Sequence, residues 1–240
     1  RILSRVKWYI QEYIGLKKSN LIFANSTYTK KKVVNKNIDK NKVFVINPAV
    51  EKEFKKVDKN RTKEFIECKG INRDKKIILS LGRIVERKGF QFAIQAISHL
   101  ENYKKNIEYI IAGKGSYKED LKKMSKKLGV NSNVNFVGYV NEEEKKILYK
   151  IADLFVMPNI TLGKGSDVEG FGIVFLEAGI HGVPSIAGSY GGTKDAIIDG
   201  QTGLLVDSKD IEELKSAMKK LLDGDIDKSQ ISKCVCENFS

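Results

Sequence analysis

Residues 77–100 read IILSLGRIVERKGFQFAIQAISHL, and the order of features in this stretch decides the fold. The opening IILSL is a largely apolar run of strand length, the pattern of a strand buried on both faces. In the 88–101 segment the apolar residues Phe90, Ala93, Ile94, Ile97 and Leu100 recur every three or four positions, which predicts a helix. A strand that passes through a short turn into a helix is the first half of a βαβ unit. The same alternation continues outward in both directions. Strand-like runs stand at 21–25, 43–46, 107–112, 134–137, 154–157, 184–187 and 204–206. Helical stripes lie between them, with Leu121, Met124 and Leu128 in 117–128. Asn141 with Glu144 reads as a capping pair ahead of Ile147, Leu148 and Ile151. Asp210 with Glu213 does the same ahead of Ile211, Leu214, Met218 and Leu221, and Gly224 stands where that helix should stop. The expectation is an α/β fold: a Rossmann-like parallel sheet with helices on both faces.

A chain of 240 residues gives one or two domains and a sizeable core. No apolar run approaches the roughly 18 residues of a membrane-spanning helix, and no signal peptide is read at its start. Three cysteines, Cys68, Cys234 and Cys236, are odd in number and few, which favours a reducing, cytoplasmic setting over a disulfide framework. They and the two histidines lack zinc-site spacing, so no metal is expected. The net charge of +13 suits nucleic acid, an anionic membrane surface or an acidic small substrate. Lysine so outnumbers arginine that much of the charge also reads as plain solvated surface. Residues 1–18 form a basic amphipathic stretch with Ile2, Val6, Tyr9, Ile10 and Tyr13 on one side, expected to cover a sheet rather than lie on a membrane. Residues 51–63 are polar and charged, a natural linker.

The turn Gly82-Arg83-Ile84-Val85-Glu86-Arg87-Lys88-Gly89 follows a strand, where ligands of open α/β sheets bind. Gly82 lets the backbone approach a ligand closely, Arg83 offers a planar donor fork, and Lys88 adds a mobile charge. Two cations around one turn suit a diphosphate; the plainer reading is a basic helix start, which the helix dipole disfavours without an anion. Glu169-Gly170-Phe171-Gly172 opens a second helix whose free amides form an anion site, with Glu169 just outside it. Glu177 falls in an apolar stretch of that helix, where a carboxylate needs hydrogen-bond donors; sugar hydroxyls would supply them. The plainer alternative is a capping carboxylate and a solvated mid-helix glutamate. Gly191-Gly192 marks another tight loop after a strand. Gly113-Lys114-Gly115 lacks the third glycine of a dinucleotide site and carries little alone. Asp225-Ile226-Asp227 reads as a solvated turn, and His181 as a packing residue.

Taken in order, Gly82-Arg83…Lys88-Gly89, Glu169…Glu177 with Gly170-Phe171-Gly172, Gly191-Gly192…Asp195 and Asp199-Gly200-Gln201-Thr202-Gly203 resemble the GT-B retaining glycosyltransferases of family 4. Asp167-Val168-Glu169-Gly170-Phe171-Gly172 is similar to mannosyltransferases that use GDP-mannose, including those acting on phosphatidylinositol. The resemblance implies Arg83 and Lys88 on the diphosphate of a GDP- or UDP-sugar, and Glu177 on the ribose hydroxyls. It implies Glu169 and the Phe171 and Gly172 amides on the donor sugar, with Gly113, Gly138 and Tyr139 lining the base pocket and Gly191-Gly192 in the donor loop. Catalysis would rest on Arg83, Lys88 and Glu169, need no metal, and transfer a hexose to a glycan or lipid-linked acceptor. Lys194-Asp195 stands where the family carries Pro-Glu, and His181 where it carries a small residue or cysteine. The resemblance further implies residues 1–46 as a remnant of an acceptor domain, 47–224 as the donor-binding domain, and 225–240 as the start of a truncated segment. On that reading the chain alone is inactive, and the family setting is cytoplasmic with peripheral membrane contact. The competing readings are a non-catalytic nucleotide-sugar-binding module and a nucleic-acid-binding module. The second lacks aromatics interleaved with its lysine runs.

Overall fold

The computed structural model of the chain describes residues 11–51, 58–163, 167–224 and 227–240. A small unit comes first. Strands β1 (Ile22–Ala24) and β2 (Val43–Val45) pair in parallel through helix α1 (Thr27–Val34), with Phe23 opposite Phe44. The Ser26 side chain caps α1 by accepting the Thr29 N–H at 3.1 Å. One face of this pair buries Ala24 and Val43 with Ile38, packed against Tyr13 and Leu16 of a helical stretch at 11–18. Tyr13 thus covers the sheet as its place in the stripe predicts; Ile2, Val6, Tyr9 and Ile10 lie outside the described residues. The opposite face carries Leu21, Phe23, Phe44 and Ile46, all exposed, with Phe23 at 63%.

The large unit begins with α2 (Lys59–Cys68), β3 (Lys76–Leu81), α3 (Phe90–Ser98), β4 (Ile107–Ala112), α4 (Lys118–Lys127) and β5 (Val134–Gly138). It continues with α5 (Glu142–Ile151), β6 (Leu154–Met157), α6 (Ile173–Ile180), β7 (Ser185–Gly188), α7 (Thr193–Ala196), β8 (Gly203–Val206), α8 (Ile211–Asp223) and α9 (Lys228–Phe239). Six parallel strands form one sheet in the order β5-β4-β3-β6-β7-β8. Ile77, Ile78 and Leu79 of β3 and Phe155 and Val156 of β6 are fully buried, because helices cover both faces. Helix α3 packs with α4 and α8, and α2 packs with α5, while α6 packs with α9.

Two expectations need correction. Helix α2 starts inside the proposed 51–63 linker, because the Asp58 carboxylate caps it by accepting the Asn60 and Arg61 N–H groups at 2.8 and 3.0 Å; residues 52–57 lie outside the described residues. The helix expected over 88–101 is shorter. Glu86–Lys88 form a tight 3-10 turn, Gly89 takes a left-handed φ of 75°, and only then does α3 begin. Lys88 therefore stands on a turn ahead of the helix. Of the Asp225-Ile226-Asp227 turn, only Asp227 is described; it is exposed, as a solvated turn requires, and it caps α9.

The strand order also places the site. From β3 the chain builds outward through β4 and β5, then crosses back to lay β6 on the other side of β3. A crevice opens beyond the carboxyl ends of two neighbouring strands whose connections leave in opposite directions. That point lies between the turns after β3 and after β6.

Candidate functional site

The floor of the crevice is backbone. Gly82 and Gly113 end β3 and β4 with φ of 147° and 140°, a region only glycine occupies freely. The Gly82 N–H donates to Ala112 O at 3.0 Å and the Gly113 N–H to Gly138 O at 2.7 Å, so three successive strand ends are stitched together. A Cβ on Gly113 would lie 1.9 Å from Gly82 O. These glycines let two turns touch.

Above this floor sits a buried cluster of charge. Lys88, 9% exposed, places its Nζ 2.6 Å from Glu169 Oε2. Arg87, 7% exposed, reaches the same oxygen with Nη1 at 2.7 Å and reaches Asp167 Oδ1 with Nε at 2.8 Å. Glu169 thus joins the loop after β6 to the β3 turn, three residues ahead of the Gly172 helix start. Arg83 is exposed and forms no ion pair among the described residues. The structure therefore brings Lys88, and not Arg83, onto Glu169. Burial raises the Glu169 carboxyl, but Lys88 and Arg87 outweigh it and hold the group below its usual range. Burial lowers the Lys88 ammonium, and Glu169 only partly restores it.

These shifts fix a pH dependence. A carboxyl whose folded pKa is depressed contributes stability above its unfolded pKa, and that contribution is lost as pH falls through the folded pKa. The expected cost of Glu169→Gln is about 2 kcal/mol at neutral pH. It should shrink below the usual carboxyl value of 4.5. Urea unfolding of both proteins across pH 3 to 7 (~1 unit steps) checks this; a cost that stays constant across the series contradicts it.

Helix α6 starts at Gly172, the acceptor for the Phe175 N–H at 3.0 Å. The amides ahead of Phe175 have no intrahelical acceptor. The Phe171 side chain is buried against Phe239, with centroids 6.2 Å apart, so it packs in the core rather than facing a ligand. Gly191 and Gly192 serve packing in this structure. The Gly192 N–H donates to Glu169 O at 2.9 Å, and a Cβ there would meet Gly170 O at 1.9 Å. Asp195 accepts the Thr27 N–H at 2.7 Å and the Thr27 hydroxyl at 2.6 Å, tying α1 of the small unit to the short helix α7 after β7.

Glu177 finds its donors within the protein. Lys145 Nζ lies 2.7 Å from Oε1, and the Tyr149 hydroxyl donates to Oε2 at 2.9 Å. The carboxylate thus needs no ligand to offset its partial burial, contrary to the sequence argument. Tyr149 is held among Phe155 and His181, with centroids at 5.9 and 5.4 Å. His181 Nδ1 also lies 2.8 Å from Glu177 O, so its ring packs at the helix end. A cleft of about 270 Å³ opens here, lined by Val50, Glu142, Lys145, Tyr149 and Glu177. Tyr139 is exposed, with the Lys114 ammonium 5.4 Å from its ring centroid. Two functional candidates escaped the sequence argument. Arg87 was overshadowed by Arg83 and Lys88, and its partners lie some eighty residues away. Lys145 carried a usable signal: it shares a helix face with Tyr149 four positions on.

Residues 61–234 match the protein family described as "Glycosyl transferases group 1". The chain belongs to the group 1 glycosyl transferases. Among curated relatives of this family member, the GDP-mannose-dependent alpha-(1-6)-phosphatidylinositol monomannoside mannosyltransferase of Mycolicibacterium smegmatis is 40% identical over 149 residues. That match covers 62% of this chain and 39% of the relative, so the chain spans about two fifths of the length of that protein. The fold is shared with a glycosyltransferase from Rickettsia africae at TM-score 0.81 and 20% identity, covering 93% of this chain and 60% of that one. It is shared also with Anabaena HepE, whose structure holds UDP and glucose, at TM-score 0.79 and 19% identity over 92% and 60% of the two chains. No helix among the described residues is long and apolar enough to cross a membrane.

Proposed function

We propose that this chain binds the donor for a retaining, metal-independent glycosyl transfer of the family 4 type. The donor is a nucleoside-diphosphate sugar, GDP-mannose before a UDP-sugar, and the acceptor a glycan or a lipid-linked sugar. The observation that carries the reading is the Lys88–Glu169 pair, 2.6 Å apart and shielded from water at the switch of the sheet. A mobile cation and a carboxylate side by side match the two ends of a sugar–diphosphate bond. Lys88 offers its ammonium to the diphosphate, with exposed Arg83 at the mouth, and Glu169 accepts from sugar hydroxyls. As the glycosyl–phosphate bond breaks, charge builds on the leaving diphosphate, and Lys88 and the α6 amides are the donors that stabilise it. No side chain in this arrangement has to be joined by a metal to neutralise that charge.

The nucleoside fits the cleft beside Glu177. Ribose hydroxyls would exchange with Lys145 on that carboxylate rather than meet a bare charge. Glu142 on the cleft wall suits the donor edge of guanine, and the GDP-mannose dependence of the Mycolicibacterium relative points the same way. The test is a thermal-shift panel of GDP, GDP-mannose, UDP and UDP-glucose, run with and without EDTA. A ligand at about 100 times its Kd stabilises by about 2.7 kcal/mol, or roughly 5–10 °C for a chain of this size. The guanine nucleotides should give the larger shifts. No shift with any of the four overturns the reading, and shifts that vanish in EDTA overturn the metal-free part of it.

A further inference from the structure

We propose that Arg87 is a positioning residue for the sugar end of this site, aiming the Glu169 carboxylate at the donor's hydroxyls; the inference rests on the donor-site reading above. The geometry divides the work between two cations. Glu169 Oε2 receives both Lys88 Nζ and Arg87 Nη1, while Oε1 accepts from no described group. A carboxylate pinned through one oxygen presents the other as an acceptor of fixed direction. Lys88 cannot be the lasting pin. Its ammonium ends a flexible four-carbon stem beside Gly82, and a diphosphate arriving there competes with Glu169 for it.

Arg87 is built to stay. Its guanidinium is buried and held a second time by Asp167, 2.8 Å from Nε. Its backbone carbonyl accepts the Ile160 N–H at 2.9 Å, which fastens the β3 turn to the loop that leaves β6. A planar fork touching two carboxylates on that loop resists rotation in a way that one ammonium does not. When the donor draws Lys88 toward its phosphates, Arg87 remains as the cation that keeps Glu169 ionised and aligned. The charged groups facing Glu169 are then Arg87 and Lys88, with Asp167 behind Arg87 and Arg83 beyond Lys88.

The experiment compares affinities of the chain and its variants for GDP and GDP-mannose, with UDP and UDP-glucose as the second pair. Glu169 meets the sugar and not the nucleotide, so the informative quantity is the ratio of the two affinities. Arg87→Ala should lower the GDP-mannose to GDP ratio about tenfold while GDP binding changes less than about threefold. The fall should begin at higher pH than in the parent chain, because Glu169 then protonates more easily. Arg87→Lys should recover part of the ratio, having the charge without the fork. Asp167→Asn supplies a variant with little folding risk, since Asp167 is 61% exposed, and should lower the ratio about threefold. An unchanged ratio in Arg87→Ala and Asp167→Asn overturns the role of Arg87 and leaves the donor site standing. Equal losses for both ligands overturn it as well, because they mark general damage. A parent chain that binds none of the four overturns the donor-site reading and the role of Arg87 with it.

Discussion

Replacing Lys88 with alanine is expected to weaken GDP binding on the order of a hundredfold, about 2.7 kcal/mol. The size follows from its setting. Lys88 is nearly buried, so its attraction for a diphosphate is poorly screened by water. The neighbouring Arg87 cannot substitute, being committed to Glu169 and Asp167. Arg83→Ala should cost far less, because Arg83 is exposed and its field is damped by solvent and salt. Calorimetric titration of both variants decides the matter. Lys88→Ala binding GDP within threefold of the parent chain would remove Lys88 from the diphosphate.

The second large effect concerns a residue with no side chain. Gly113→Ala should destabilise the fold by about 2–6 kcal/mol. Its φ of 140° strains any L-residue by about 1–3 kcal/mol. The new methyl would lie 1.9 Å from a backbone oxygen, Gly82 O, which cannot swing aside as a side-chain tip could. The β3 and β4 ends would have to part, weakening the bond from the Gly82 N–H to Ala112 O at 3.0 Å and adding about 1–3 kcal/mol. The melting temperature should fall by roughly 4–24 °C. Gly138→Ala is the control. Its φ of 81° carries strain, but a Cβ there meets nothing within 4 Å, so a loss of only about 1–2 kcal/mol is expected. Equal losses in the two variants would refute the close-approach argument.

What could be read from the sequence follows a physical divide. Strands and helices were legible where burial marks the chain, as a continuous apolar run in Ile77–Leu79 and as a period in the Phe90–Ile97 stripe. Their ends were less so, since one left-handed glycine, Gly89, moved the start of α3 past Lys88. Lys88 and Glu169 stood out because glycines flank them. Their contact did not, because it depends on β6 lying beside β3, and apolar periods hold no record of strand order. Glu177 shows the limit from the other side. A carboxylate in an apolar stretch signals that donors are nearby, but only the packing of α5 on α6 identifies them as Lys145 and Tyr149.

The small two-stranded sheet bears on how the chain behaves in bulk solution. Leu21, Phe23, Phe44 and Ile46 form an apolar ribbon, and among the described residues the two parallel strands, three residues long, pair with no third strand on either edge. Opposing this stickiness is the long-range repulsion between molecules that each carry +13. Salt acts on only one of the two. Raising it from about 0.1 to 1 M shortens the Debye length from about 10 to 3 Å, while apolar contact is left intact. The chain's colloidal stability is therefore greatest in dilute electrolyte, the reverse of a protein whose self-association runs through surface ion pairs.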